Sequence, residues 1–249
     1  MIRVHSSFHK CLTMYFKNVM QSSLNHYRTS LKKRYVHHES IEGVFYNRAS
    51  RTYLNSTNSF AIDIDRLDDD FRATRFIRDP RDLVVSGYFY HKRAAEPWFR
   101  MKNPTAKYWS PINGNVPKNH PTDLSFAEYL NTLDTETGLE AEIEFRQHHL
   151  QSFRDWPDDD RIKIFKYEEI IGNEIDTFKA ICEHLQLSKS ETFRVLRKAK
   201  KLAYKKTTNN KHIRNPKAGQ WREHFTKQQN ERFVEEYADI LERHDYELY

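Results

Sequence analysis

Phe76-Ile77-Arg78-Asp79-Pro80-Arg81-Asp82-Leu83-Val84-Val85-Ser86-Gly87-Tyr88 changes character at one point. Ala73 to Ile77 reads as an apolar strand, the chain turns at Arg78-Asp79-Pro80, and a helix follows. Proline suits a first helical turn, where its missing N–H has no partner to lose. Asp79 is a good N-cap, and Asp82 places a carboxylate at the positive end of the helix dipole. Arg78 leaves the carboxyl end of the strand, and Ser86 follows two helical turns later. A cationic fork and a hydroxyl at a helix start suit a phosphate. A surface strand–turn–helix with a solvated arginine would contain the same residues.

Two other stretches point to the same chemistry. Ile2 to Phe8 reads as a short strand and His9-Lys10-Cys11-Leu12-Thr13 as a turn. Leu12, Tyr15, Phe16, Val19, Met20, Leu24, Tyr27 and Leu31 then form one helical stripe. Strand, lysine-bearing turn and helix is the architecture of a phosphate loop, in which backbone N–H groups and the lysine charge meet an anion. The G-x-x-x-x-G-K-[ST] pattern is absent and the turn has no glycine, which argues against a nucleotide kinase. Near the other end, Ile213-Arg214-Asn215-Pro216-Lys217-Ala218-Gly219-Gln220-Trp221-Arg222-Glu223-His224-Phe225-Thr226 combines cations, a glycine and a tryptophan.

In this order the three segments resemble those of PAPS-dependent sulfotransferases, which take a sulfuryl group from 3′-phosphoadenylyl sulfate. Arg78 to His91 resembles the family's 3′-phosphate segment, which implies that Arg78 and Ser86 hold that phosphate. Phe8 to Tyr15 is similar to the 5′-phosphosulfate loop, usually aromatic, Pro, Lys, small, Gly, Thr, Thr, Trp. Lys10 and Thr13 match, Cys11 replaces a small polar residue, Leu12 the glycine and Met14 the second threonine. The resemblance implies donor contacts from all five, with Lys10 neutralising charge as adenosine 3′,5′-bisphosphate leaves. In the C-terminal segment Arg214, Gly219, Trp221, Arg222, Phe225 and Thr226 match at the family's spacing. Arg214 would be the second cation on the 3′-phosphate, with Asn215 and Lys217 beside it and Pro216 where a glycine is usual. Tyr167, after a strand from Arg161 to Phe165, matches a tyrosine that lies near the donor nucleotide.

The acceptor hydroxyl needs a base. His37, His38 and Glu39, at the end of a possible strand from Tyr35, follow Lys10 by 27 to 29 residues. Histidine accepts a proton near neutral pH. In the glycan-modifying branch of the family the base is often a glutamate in this region, and in the small-molecule branch a histidine further along. Asp63 is a rival, on a stretch from Phe60 to Asp65 whose alternation reads as a strand with one wet face. Asn55 to Ser59 reads as a polar loop.

Residues 95–123 hold five prolines and several aromatics, expected to form a loop over the acceptor. With the helices up to 150, this is the expected acceptor-side insertion. Ser125-Phe126-Ala127-Glu128 is a capping box, Gly138 is expected to break its helix, and Leu139 to Phe153 to continue as another carrying Glu144 and His148. H-E-x-x-H is absent and no metal is expected. The helix from Ser190 to Lys201 ends in a basic run of Arg197, Lys198, Lys200, Lys201, Lys205 and Lys206. It reads as a solvated basic face, with an acidic glycan or nucleic acid as the alternative.

Net charge +6 suits an anionic ligand, while charges mixed in sign along most of the chain argue against a nucleic-acid coat. Two cysteines make no disulfide framework, and the chain opens on a strand with no signal-peptide apolar region. A cytoplasmic protein without a membrane span is expected. The expected fold is α/β, one domain over residues 1–249, with a central parallel sheet flanked by helices in a P-loop-like sulfotransferase arrangement. The expected reaction is sulfuryl transfer from PAPS to a hydroxyl, less readily an amine, of a glycan or small molecule. A catalytically inactive PAPS- or polyanion-binding protein is the alternative.

Overall fold

The apolar strand before Arg78 lies in a fully parallel five-stranded sheet of order β2-β3-β1-β4-β5. Its strands are β1 (Ile2–Ser7), β2 (Tyr35–His38), β3 (Leu54–Thr57), β4 (Phe71–Ile77) and β5 (Ile162–Lys166). The computed structural model describes residues 1–25, 34–39, 41–47, 53–58, 63–67, 70–203 and 216–249. They form two compact units, Met1–Arg78 with Trp156–Pro216, and Asp79–Asp155 with Lys217–Tyr249. The fold is α/β, as expected.

The first unit contains the sheet, with helices on both faces. Residues alternate sides along a strand, so Val4 and Ala73, which pair in register, share one face and His5 and Thr74 the other. On the first face Val4, Phe71 and Ala73 form a buried cluster with Leu67, Trp156 and Val44 of α2 (Ile41–Asn47). On the second, Phe16 of α1 (Thr13–Leu24) stacks on His5 at 3.5 Å between ring centroids and meets Phe178 of α9 (Glu174–His184). Helix α10 (Lys189–Leu202) packs against both α1 and α9, and Lys205 and Lys206 beyond it lie outside the described residues. The short α8 (Tyr167–Ile170) continues directly from β5.

Residues 55–57, expected in a loop, form an inner strand. Asn55, Ser56 and Thr57 are all buried. A buried polar strand is tolerated when its side chains are hydrogen-bonded: Asn55 Oδ1 accepts from His38 Nε2 at 3.1 Å, and Ser56 Oγ lies 2.6 Å from Tyr35 Oη and 2.9 Å from His37 Nδ1. The strand expected over Phe60 to Asp65 is not formed by its described part. Ile64–Arg66 is a single 3-10 turn capped by the Asp63 carboxylate, and residues 60–62 lie outside the described residues.

The second unit is helical: α3 (Pro80–His91), α4 (Ala106–Trp109), α5 (Phe126–Thr132), α6 (Thr135–Phe145), α7 (Gln147–Arg154), α11 (Trp221–His224) and α12 (Lys227–Arg243). Asp79 caps α3 and Pro80 is in its first turn, as expected. The capping box at Ser125 forms. Gly138 does not break a helix. The chain breaks at Leu133, Asp134 caps α6, and Gly138 lies inside it because a Cβ there would stand 2.5 Å from the Tyr88 ring. The helix expected from Leu139 to Phe153 is two, interrupted at Arg146, so Glu144 and His148 belong to different helices. In the proline-rich stretch, Phe99 and Trp109 are buried with Phe126 and Phe145, the Trp109 ring 5.4 and 5.2 Å from those two. They are core, and only Trp98 and Tyr108 of that group stay half-buried.

A buried ionic cluster rests on α3. Glu142 accepts from Arg146 Nε and His91 Nδ1, each at 2.7 Å. Burial holds its carboxyl above the usual range, against the pull of Arg146. A Cβ at Gly87 would lie 2.1 Å from both Glu142 Oε1 and Arg146 Nη2. Gly87→Ala should therefore lower stability by about 1–3 kcal/mol, read by urea unfolding. An unchanged midpoint would show that the cluster moves aside freely.

Candidate functional site

In a parallel sheet every strand ends at the same edge, and ligands bind outside those ends where the strand order reverses. Here the chain crosses to β2 and β3 on one side of β1 and to β4 and β5 on the other. Ser7 pairs with Phe76 and Ile77 with Lys166. The Lys10 turn, Arg78 and Tyr167 therefore leave three neighbouring strands at one edge.

The turn is tight. Cys11 N–H donates to Phe8 O at 3.0 Å, and Thr13 Oγ1 lies 2.8 Å from Ser7 Oγ and donates to Phe8 O at 3.2 Å. Lys10 and Leu12 both have positive φ, 71° and 57°. Leu12, standing where the resemblance has glycine, thus adopts a glycine-like left-handed backbone, a conformation that strains other residues by roughly 1–2 kcal/mol. Leu12 is also the N-cap of α1 and has no side-chain acceptor, whereas α3, α5, α6, α10 and α12 carry side-chain caps. The first-turn N–H groups of α1 face the turn with the positive end of the helix dipole behind them. Met14, in that first turn, is 52% exposed.

Arg78 is buried, its guanidinium 4.1 Å above the Tyr167 ring. Tyr167 Oη donates to Pro216 O at 2.8 Å, which fixes the ring. Cys11 is buried in the same neighbourhood: burial and nearby Glu168 push its thiol up, and Arg78 and Arg75 oppose them. It is a neutral thiol, not a nucleophile. Arg75, also buried, lies 3.6 Å over Trp156 and 4.4 Å from the Phe8 ring.

The base candidates end β2. His37 and His38 face opposite sides of the sheet. His37 Nδ1 is held by Ser56, and burial, then Lys17 and His38, push its pKa down to about 4, so the ring is neutral at pH 7. His5, in register with Ser56, which is in register with His37, is fully buried and also pushed well down, by burial and then His37. His38 is tied to Asn55 and packs over Gly43, where a Cβ would meet its Nδ1 at 2.7 Å. Glu39 is exposed just past the strand, and Asp63 is exposed in its 3-10 cap. Ser56 and Tyr35, which fix His37, were not expected at the site. Their only sequence signal is that a polar strand beside β1 must hydrogen-bond its own side chains.

The remaining positions fall elsewhere. Ser86 is half-buried on α3 in the second unit. Lys217, in that unit, pairs with Glu223 at 3.0 Å. Arg214 and Asn215 lie outside the described residues. Two motif residues prove structural. The buried Asp82 carboxylate accepts the N–H groups of Gly219 at 2.9 Å and Trp221 at 3.0 Å, and Arg81, bonded to Asp79, lies 3.6 Å over the Trp221 ring. Asp82 was expected only as a partner of the helix dipole.

A parallel α/β sheet with a lysine-bearing turn and a buried arginine at its carboxyl edge is an arrangement that suits an anionic, phosphorylated donor. A family model for the sulfotransferase domain matches residues 65–244, and the chain belongs to that family. Its activity class is sulfuryl transfer. The match begins after the Lys10 turn and β2, so their assignment rests on geometry. Among solved structures the chain resembles mouse sulfotransferase SULT7A1 complexed with PAP, with 15% identity, a TM-score of 0.56, and coverage of 96% of this chain and 83% of that one. It also matches a retinol dehydratase in complex with androsterone and inactive cofactor PAP at 15% identity and TM-score 0.49, over 97% and 82% of the two chains. No curated protein sequence matches.

The left-handed turn is directly testable. Leu12→Gly should equal or exceed wild type in urea-unfolding stability, and Leu12→Val, β-branched at positive φ, should fall below Leu12→Gly by about 1–2 kcal/mol. Equal stability of the two variants would rule out the left-handed backbone.

Proposed function

We propose that this protein transfers a sulfuryl group from PAPS to a hydroxyl acceptor. The observation that carries the reading is the pairing of an uncapped α1 N-terminus behind a left-handed lysine turn with the buried Arg78 at the end of the adjoining strand. One group suits a 5′-phosphosulfate and the other a 3′-phosphate, a combination that distinguishes PAPS from ATP. PAPS supplies the sulfuryl group when bound. Lys10, Leu12, Thr13 and Met14 line the 5′ side. The Cys11 N–H is already used within the turn, so its contribution is shape. Arg78 holds the 3′-phosphate, and Tyr167 keeps the guanidinium oriented by stacking. Ser86, Arg214, Asn215 and Lys217 keep the roles their motif positions imply. Lys10 stabilises the negative charge that develops as the bisphosphate leaves.

His37 takes the acceptor proton. It is neutral at physiological pH, and Ser56 fixes its ring by one nitrogen. His38 and Glu39 are its rivals, the first held by Asn55 and the second exposed. The acceptor class is a hydroxyl of a glycan or small molecule. Two unpaired, buried cysteines support a reducing, cytoplasmic setting. Among the described residues no helix is long and apolar enough to cross a membrane.

Calorimetric titration with adenosine 3′,5′-bisphosphate, against 5′-AMP, tests the donor assignment. Binding should require the 3′-phosphate, and Arg78→Ala should weaken it by about 1.5–3 kcal/mol, the range for a charged hydrogen bond. Equal binding of both nucleotides would overturn the reading. In turnover with PAPS and a responsive acceptor, Lys10→Ala should lower kcat by roughly two to three powers of ten. The wild-type rate should stay level as pH falls from 7 and drop only as His37 protonates, near pH 4. An acid limb near 6.5 that persists in His37→Gln would assign the base elsewhere.

A further inference from the structure

Helix α10 carries one acidic residue, Glu191, and it is fully engaged: it is buried, completes the Ser188 capping box, and takes Arg34 and Tyr53 as partners. Val195 and Ala199 are buried, and Arg194 donates to Ser23 O of α1. What α10 shows to solvent is different. Lys189, Phe193, Arg197, Lys200 and Lys201 are exposed, spaced four, four, three and one apart, which puts them on one side of the helix. Among the described residues none of these cations has an ion-pair partner, although exposed cations elsewhere, such as Arg66, Arg222 and Arg232, do. Phe193 is 67% exposed, the most open large apolar side chain inside any described helix. An aromatic left in water within an uncompensated cationic stripe has no role in packing.

The stripe has a direction. Tyr15 Oη donates to Ala199 O, and Arg194 meets Ser23, so α10 runs antiparallel to α1. Its Lys200–Lys201 end therefore lies beside the first turn of α1, where the Lys10 turn ends. From Lys189 to Lys200 the helix rises about 16 Å.

We propose that the outer face of α10 binds an acidic polysaccharide, with Phe193 stacked on a sugar ring and Lys189, Arg197, Lys200 and Lys201 paired with its carboxylates or sulfates. This names the acceptor class of the sulfotransferase reading and rests on it: a chain laid along the stripe has one end beside the donor turn. Charge complementarity favours a polyanion, and the apolar face of α10 is already buried against α1 and α9, which leaves one aromatic rather than a membrane-inserting stripe. A chain of pyranose rings offers both the anions and the flat C–H face that a single aromatic can cover.

The test is affinity for heparin at physiological salt, with adenosine 3′,5′-bisphosphate affinity measured in parallel. Lys189→Glu/Arg197→Glu should weaken heparin binding at least about tenfold, while the control Lys227→Glu/Arg232→Glu, also exposed and on α12, leaves it unchanged. Phe193→Ala should lower heparin affinity about three- to tenfold and leave inorganic polyphosphate affinity unchanged. Equal effects of the two double reversals, or a Phe193→Ala loss shared by polyphosphate or absent for heparin, would overturn the proposal. So would Phe193-dependent binding to phosphatidylserine vesicles with no heparin binding. Nucleotide binding without heparin binding would sink this surface and leave the donor site standing. The converse would sink the donor reading and leave the surface as a polysaccharide-binding face.

Discussion

Six register pairs between β1 and β4, from Ile2–Phe71 to Ser7–Phe76, constrain everything else at the site. Two turns far apart in sequence leave adjacent strands at the same level because of that alignment. A shift by one residue would move His5 and Thr74, with their 2.9 Å contact, off each other's face and turn Val4 out of its cluster. The register is thus held by an apolar cluster on one side and a polar contact on the other. The site inherits its geometry from both.

Parts of this were legible in the sequence. The strand and helix around Arg78 announce themselves by an apolar run, an N-cap and a proline, all local signals, and the structure has each of them. The polar strand β3 gave no such signal. Asn55-Ser56-Thr57 is loop-like by composition and becomes a strand only because Tyr35, His37 and His38 satisfy it from β2. That information is nonlocal. Gly138 misled for the opposite reason: its composition says break, but its missing Cβ is filled by the Tyr88 ring. Phe99 and Trp109 misled similarly, since prolines around an aromatic suggest a loop and say nothing of what the ring covers.

The Arg78 motif also divides its charges in a way that sequence cannot reveal. Arg78 stays in the sheet unit, at the strand end next to the Lys10 turn, stacked on Tyr167. Arg81 and Asp82, equally charged and equally buried, turn inward within the helical unit and hold the Gly219–Trp221 segment. Burying them is tolerable because their polar atoms are met: Arg81 donates to Asp79, to the Asn230 amide oxygen and to backbone carbonyls of Glu247 and Leu248, and Asp82 accepts two backbone N–H groups. The motif therefore leaves one buried arginine at the sheet edge and holds the backbone of the third motif with two other residues.

The most informative departure is Leu12. A loop that cradles an anion needs its backbone to turn left-handed so that successive N–H groups converge, and glycine adopts that conformation without penalty. Here leucine adopts it, at φ 57° and ψ 15°, next to Lys10 at φ 71°. The turn is held by the Cys11–Phe8 backbone bond and by Thr13 bridging Ser7 and Phe8. Those bonds offset the strain that glycine would have avoided. A glycine count gives no sign of this left-handed turn, whereas the bonds that close it do. Left-handed backbone at both Lys10 and Leu12, with the surrounding bonds overdetermining it, is how a folded chain keeps local strain in place.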